Sequence, residues 1–93
     1  MARTAPRVHL DQATINRLKE LQRGLDAEMR VELHMHDGSV LVGVLPERPT
    51  VQQFLDAQDN EGTNGQLRLD TGDGGFHLVW LDEINSFTRL GTC

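Results

Sequence analysis

Residues 36–45 read HDGSVLVGVL, an Asp-Gly pair followed by an apolar run with one glycine set inside it. Asp37-Gly38 is the kind of pair that tolerates positive φ in a tight hairpin turn, and it stands between two stretches of strand character. Before it, Met29, Val31, Leu33 and Met35 alternate with Arg30, Glu32, His34 and His36. That period of two is the pattern of a strand buried on one face. After it, Val40 to Leu45 is apolar on both faces, which predicts a central, doubly buried strand. Gly43 interrupts that run. A position without a Cβ in a buried strand predicts a sharp bend or the close approach of a neighbour. Residues 29–36 and 39–45 therefore read as the hairpin at the centre of a bent sheet.

Upstream of the hairpin, Asp11 stands where a helix N-cap belongs, with Leu10 and Ile15 placed as a hydrophobic staple. Ile15, Leu18, Leu21 and Leu25 recur at three- and four-residue steps and predict an amphipathic helix over about 11–26, Arg17, Lys19, Glu20 and Arg23 pointing elsewhere. Residues 1–9 show no such period and read as a flexible arm. Downstream, Pro46 and Pro49 bracket a loop, since neither can donate to a ladder. Residues 51–57 read as a third strand of ambiguous phase. DNEGTNG (59–65) reads as a polar loop, residues 66–81 as a fourth strand interrupted near TGDGG (71–75), and 84–90 as the last. The segment from 10 to 93 is thus expected to be one domain, mainly β, with one N-terminal α-helix and a small bent five-stranded antiparallel barrel.

Composition narrows the function classes. A chain of 93 residues buries about 60–65% of the surface its unfolded form exposes, which leaves little room for a large internal cleft. With 38% hydrophobic and 25% charged residues it is globular, without an apolar run of bilayer length or a secretory h-region, so a cytoplasmic location without membrane attachment is expected. The single cysteine, Cys93, excludes an intramolecular disulfide and a cysteine-rich zinc site. The net charge of −5 is uneven: residues 1–30 carry +2 and residues 31–93 carry −7. Such an acidic region repels a phosphate backbone, so nucleic acid would have to be attracted by Arg17, Lys19 and Arg23 with the arm.

The stretch VELHMHDGSVLVGVL resembles the first signature of the Sm-like proteins, in which alternating apolar residues lead to Asp-Gly, then a glycine, then a leucine. Asp37, Gly38, Gly43 and Leu45 match it. VWLDEINSF (79–87) resembles the second signature, with Ile84 and Phe87 on its spaced apolar positions, and the helix ahead of the first strand is also where Sm-like proteins place theirs, the bacterial host-factor RNA chaperone included. The chain is similar in length and element order to a small family of uncharacterised bacterial proteins with a variant Sm-like fold. The resemblance implies an Sm-like barrel, within the wider SH3-like and OB class of small barrels. It also implies where a base pocket would lie. The aromatic or histidine that stacks on a base is replaced by Val51, the Asn that reads its edge by Gln53, and the Arg-Gly pair by Trp80 and Leu81. A degenerate pocket follows, and with it weak RNA binding at most.

Other chemistry finds less in the sequence. His34 and His36 share a strand face and, with Asp37 or His77, could hold a metal ion, but no third ligand is fixed by the pattern and solvated histidines are the simpler reading. The acidic loops lack the spacing of a calcium loop, and TGDGGF precedes a strand where a dinucleotide fingerprint needs a helix. No catalytic constellation and no cofactor motif emerge, so the expected function is a non-enzymatic scaffold or protein-interaction module, with a weak RNA-binding regulator as the alternative. After Lys19 the chain has no lysine to blunt a strand edge, and the segments 76–81 and 84–90 are expected to pair with a second copy. A dimer is favoured over a closed ring, because the acidic loops would repel one another around a pore.

Overall fold

The structure, a computed structural model, describes residues 3–92. In chain order the elements are β1 (Arg3–Thr4), α1 (Gln12–Gly24), β2 (Met29–Met35), β3 (Val40–Val44), β4 (Thr50–Leu55), β5 (Glu61–Asp70), β6 (Phe76–Trp80), a 3-10 turn (Leu81–Glu83) and β7 (Ile84–Thr92). The strands form one curled sheet in the order β1-β4-β5-β3-β2-β7, with β6 also on β5. Every ladder is antiparallel except β1 with β4. The architecture is mainly β with one N-terminal helix, as the sequence predicts.

Helix α1 begins as its cap residue requires: the Asp11 carboxylate accepts from the Thr14 amide at 2.9 Å. It ends at Gly24, two residues short of the expected boundary, with Leu25 closing back on the Leu21 carbonyl. Leu18, Leu21 and Leu25 are buried against Val31, Leu33, Leu45, Leu69 and Ile84. Removing one such side chain from water contributes about 1.5–3 kcal/mol, so the helix is held by its apolar stripe more than by helix propensity. Gln22 donates to the Pro49 carbonyl at 3.0 Å and Arg48 pairs with Asp26, which ties the proline-bracketed loop to the helix.

The hairpin at Asp37-Gly38 forms as expected, with Gly38 at φ 90° and β2 and β3 in register from Arg30↔Val44 to His34↔Val40. The doubly buried β3 does not. Val40 and Val42 remain 50% and 47% exposed, while Leu41 packs on the core and Leu45, just past the strand, lies within it. The apolar run is continuous in sequence but one of its two faces is open. Gly43 belongs to the inner face, and its role is close approach. A Cβ there would lie 3.0 Å from both the Asp70 carbonyl carbon and Leu69 Cγ, and closer still to the Asp70 oxygen. At this point the end of β5 crosses β3, and the single pair Val44↔Asp70 joins the two strands.

Four other segments differ from expectation. The loop expected over 59–65 is strand from Glu61, and the interrupted strand expected over 66–81 is a hairpin of two strands, β5 and β6, turning through 71–75. The third strand stops at Leu55, ahead of an Asp56 carboxylate that accepts from the amides of Gln58 and Asn60. The arm expected over 1–9 is, across residues 3–9, a strap. Arg3 and Thr4 pair with Phe54 and Leu55, the Ala5 amide donates to Leu55 at 2.8 Å, and His9 and Thr63 exchange two bonds of 2.9 Å. Between these points the strap crosses the sheet at Gly62, where a Cβ would meet Val8 at 2.9 Å.

Candidate functional site

The residues expected to line a base pocket are placed apart. Thr50, Gln66 and Trp80 form one cross-strand row, so Trp80 shares its sheet face with Thr50, Gln52 and Phe54. Val51 and Gln53 are one residue out of phase and point to the other face. Val51 packs on the core, and Gln53 donates to the Thr63 hydroxyl at 2.9 Å. Trp80 stands edge-on to Phe54, with ring centroids 5.2 Å apart and planes at 79°, and Phe54 is 1% exposed. A base stacker on Trp80 and an edge reader at Gln53 would therefore lie on opposite sides of the sheet.

Of the basic residues expected to attract RNA, Arg17 is exposed and donates to the carbonyls of Ile84 and Asn85, at 3.3 and 2.5 Å, fixing the start of β7 to the helix. Lys19 and Arg23 are exposed on α1 and form no ion pair among the described residues. The signature residues Leu45 and Ile84 are fully buried. Asp37 accepts from the Ser39 hydroxyl at 2.6 Å and its amide at 2.9 Å, and these bonds hold its carboxyl below the usual range. His34 is paired with Glu32 at 2.8 Å, and His36 lies beyond the end of β2. Among the described residues no three His, Cys, Asp or Glu side chains converge as metal ligands, and no helix is long and apolar enough to cross a membrane.

The polar centre that sequence reasoning missed is Asp82. Its side chain is 6% exposed and accepts from Arg7 at 2.8 and 3.1 Å, bonds His9 at 3.0 Å, and accepts from the Asn64 amide at 3.2 Å. Burial pushes the Asp82 carboxyl up, but the hydrogen bonds and charges of Arg7 and His9 outweigh it and hold the group below its ordinary value. The same contact raises Arg7. Asn64 is fully buried and also donates to the Arg7 carbonyl at 2.8 Å, while its own oxygen accepts from the Gly65 amide. Four residues spread from 7 to 82 thus latch the strap to the turn between β6 and β7. A shallow cavity of about 300 Å³ opens beside this latch, lined by Arg7, Met35, His36, Asp37, Asp82 and Glu83. Its carboxylates are already engaged, Asp82 and Glu83 by Arg7 and Asp37 by Ser39.

The strands on either side of that turn are the open part of the sheet. Among the described residues β6 pairs only with β5, and β7 only with β2. On β6, Phe76 and Leu78 are 59% and 61% exposed, whereas Val79 faces the core. An edge strand with apolar side chains and no blunting charge is a template for another strand.

Comparison with known proteins places this architecture. The family described as "Domain of unknown function (DUF3247)" matches residues 2–90. The crystal structure of XC5848 from Xanthomonas campestris, described as adopting a novel variant of Sm-like motif, superposes with a TM-score of 0.87 at 38% sequence identity, over 95% of this chain and 97% of that one. A search of the curated proteins finds no match. The chain therefore belongs to the DUF3247 family and has an Sm-like fold.

Proposed function

We propose that this protein is a non-enzymatic, cytoplasmic Sm-like interaction module that associates with a second copy of itself and presents the assembled sheet to protein partners. The observation that carries the reading is the β6 edge, with one ladder partner among the described residues and with Phe76 and Leu78 exposed beside it. The spent polar groups support it further: Ser39 is held by Asp37, Arg17 caps backbone carbonyls, and Asp82 is saturated by the strap. The test is solution mass by light scattering at micromolar concentration and moderate salt, with reductant present to remove any bridge through Cys93. A dimer is expected. A monomer that persists at about 100 µM, well above the micromolar range of ordinary association, overturns the reading.

One observation favours weak RNA binding as the second reading: Lys19 and Arg23 lie exposed on one helix without a carboxylate partner among the described residues. The ratio of absorbance at 260 and 280 nm after purification, followed by titration with uridine- and adenine-rich oligomers, separates the two. An RNA regulator retains nucleic acid and binds such oligomers tightly, and a protein scaffold does neither.

A further inference from the structure

Among the described residues the large apolar side chains left exposed are Leu10, Val40, Val42, Phe76, Leu78 and Leu90. Val40 and Val42 stand on the face of the sheet turned away from α1, since their neighbours Leu41 and Leu45 point toward the core. Ladder registers arrange that face into one continuous row. Arg30 of β2 is paired with Val44 of β3, Val44 with Asp70 of β5, and Asp70 with Phe76 of β6. On the other side of Arg30 its partner on β7 is Gly91, and Leu90 lies at the irregularity beside it. Directly paired residues project to the same face, and neighbouring strands are about 4.8 Å apart. The row thus reads Leu90, Arg30, Val44, Asp70, Phe76, with opposite charges one strand either side of Val44 and an apolar side chain one strand further out at each end.

We propose that this face is the contact surface of a two-fold dimer, in which β3 of one copy lies over β3 of the other. A two-fold axis running along β3, in the plane between the two faces, sets Val44 over Val44 and Val42 over Val42. The same rotation brings Arg30 over Asp70 and Asp70 over Arg30, and Leu90 over Phe76 in both directions. A surface complementary to itself in this way is what an isologous interface requires. Neither charge is spent inside its own chain: Arg30 forms no ion pair among the described residues, and Asp70 uses one oxygen for the Gly72 amide at 2.9 Å, leaving the other. Arg30, Val42, Val44, Asp70 and Leu90 line an open groove of about 460 Å³. Glu32 of β2 is paired with Val42, and Gly72, which has no side chain, lines the groove beyond Asp70.

The inference rests on the reading that the chain self-associates and names the face that does so, as distinct from the edges of β6 and β7. Its test uses the full-length chain and the variants Arg30→Asp, Asp70→Arg and the double variant, with helix content checked by circular dichroism. Each single variant sets like charges opposite each other at two symmetric places, and the dimer dissociation constant should weaken by about 100-fold or more. An equimolar mixture of the two single variants, and the double variant alone, should recover the wild-type constant to within about 10-fold, because each restores two opposite-charge pairs. A wild-type dimer that both single variants leave intact overturns this face while the self-association reading stands. So does loss of the dimer in the single variants with no recovery in the mixture and the double variant. A wild-type chain that stays monomeric overturns both.

Discussion

Gly43→Ala is the smallest change that probes how the sheet closes. The added methyl group would lie 3.0 Å from the Asp70 carbonyl carbon and from Leu69 Cγ, with the Asp70 oxygen nearer still. The Asp70 atoms are backbone, so relief cannot come from a side-chain rotation, and either β3 or the end of β5 must move. Those two strands are joined by the single pair Val44↔Asp70, and the displaced Leu69 is fully buried. Overpacking of this kind costs about 1–3 kcal/mol. Against that, replacing glycine by alanine restricts the unfolded chain and stabilises by about 0.4–1 kcal/mol. The clash is the larger effect, and the net loss should be about 1–2 kcal/mol for alanine and more for Gly43→Val, despite the higher strand propensity of valine. In a domain of this size each kcal/mol shifts Tm by roughly 4–8 °C, so a fall of about 5–15 °C is expected in thermal denaturation followed by circular dichroism. Gly75→Ala is the matched control, because nothing lies within 4 Å of its added Cβ. It should change stability by no more than about 0.5 kcal/mol. An unchanged or raised Tm in Gly43→Ala would refute the close approach as the reason for this glycine.

Asp82→Asn should destabilise by about 1–3 kcal/mol, since it weakens the contacts of a buried acceptor with Arg7, His9 and Asn64. Asp82 has a folded-state pKa below its unfolded one, so it adds stability in full above the ordinary carboxyl value of 3.8 and loses it as pH falls through the folded value. Urea denaturation at pH 7 and at pH 3 should then show a smaller loss with acid in the variant than in the wild type, and equal losses would rule the latch out as an acid-sensitive element. Trp80→Leu removes the edge-on contact with Phe54 and should lower stability by about 1–2 kcal/mol while leaving oligonucleotide affinity unchanged. If RNA affinity falls and stability does not, Trp80 is a stacking platform after all. The wild-type chain itself should bind uridine- and adenine-rich oligomers at physiological salt no better than about 10⁻⁴ to 10⁻⁶ M, and a nanomolar constant would contradict the scaffold reading.

What could be read from the sequence was local. Asp11 caps α1 through an amide three residues away, the Leu18–Leu21–Leu25 stripe is a matter of helical spacing, and Asp37-Gly38 makes its turn with Ser39 next door. Each of these needs only a few neighbouring residues to be recognised. The open face of β3 was not legible for the opposite reason. Val40, Val42 and Val44 are as apolar as Leu41 and Leu45, yet among the described residues Val40 and Val42 are left about half exposed. An apolar run records how greasy a strand is, not which of its sides the fold buries.

The strap and the first half of β5 illustrate the same limit from the polar side. EGTNG over 61–65 carries every local sign of a loop, two glycines and two turn-forming polar residues, yet it is strand, with Thr63 and Asn64 buried. Burying an amide without partners costs about 1–3 kcal/mol, so those residues can lie inside only because others far along the chain meet them. The partners are Arg7 and His9 from the strap and Asp82 from the turn before β7. The strap in turn has no apolar period that would mark it as structured. It is ordered by the bonds its backbone makes to Leu55 and Thr63 and by the charge it places on Asp82. Two segments that each read as unstructured therefore hold one another in place, and they hold the turn whose flanking strands are left open. If the latch fails, the edge of β5 beside Thr63 loses its occupant as well, so the order of residues 3–9 decides how much strand edge this fold exposes.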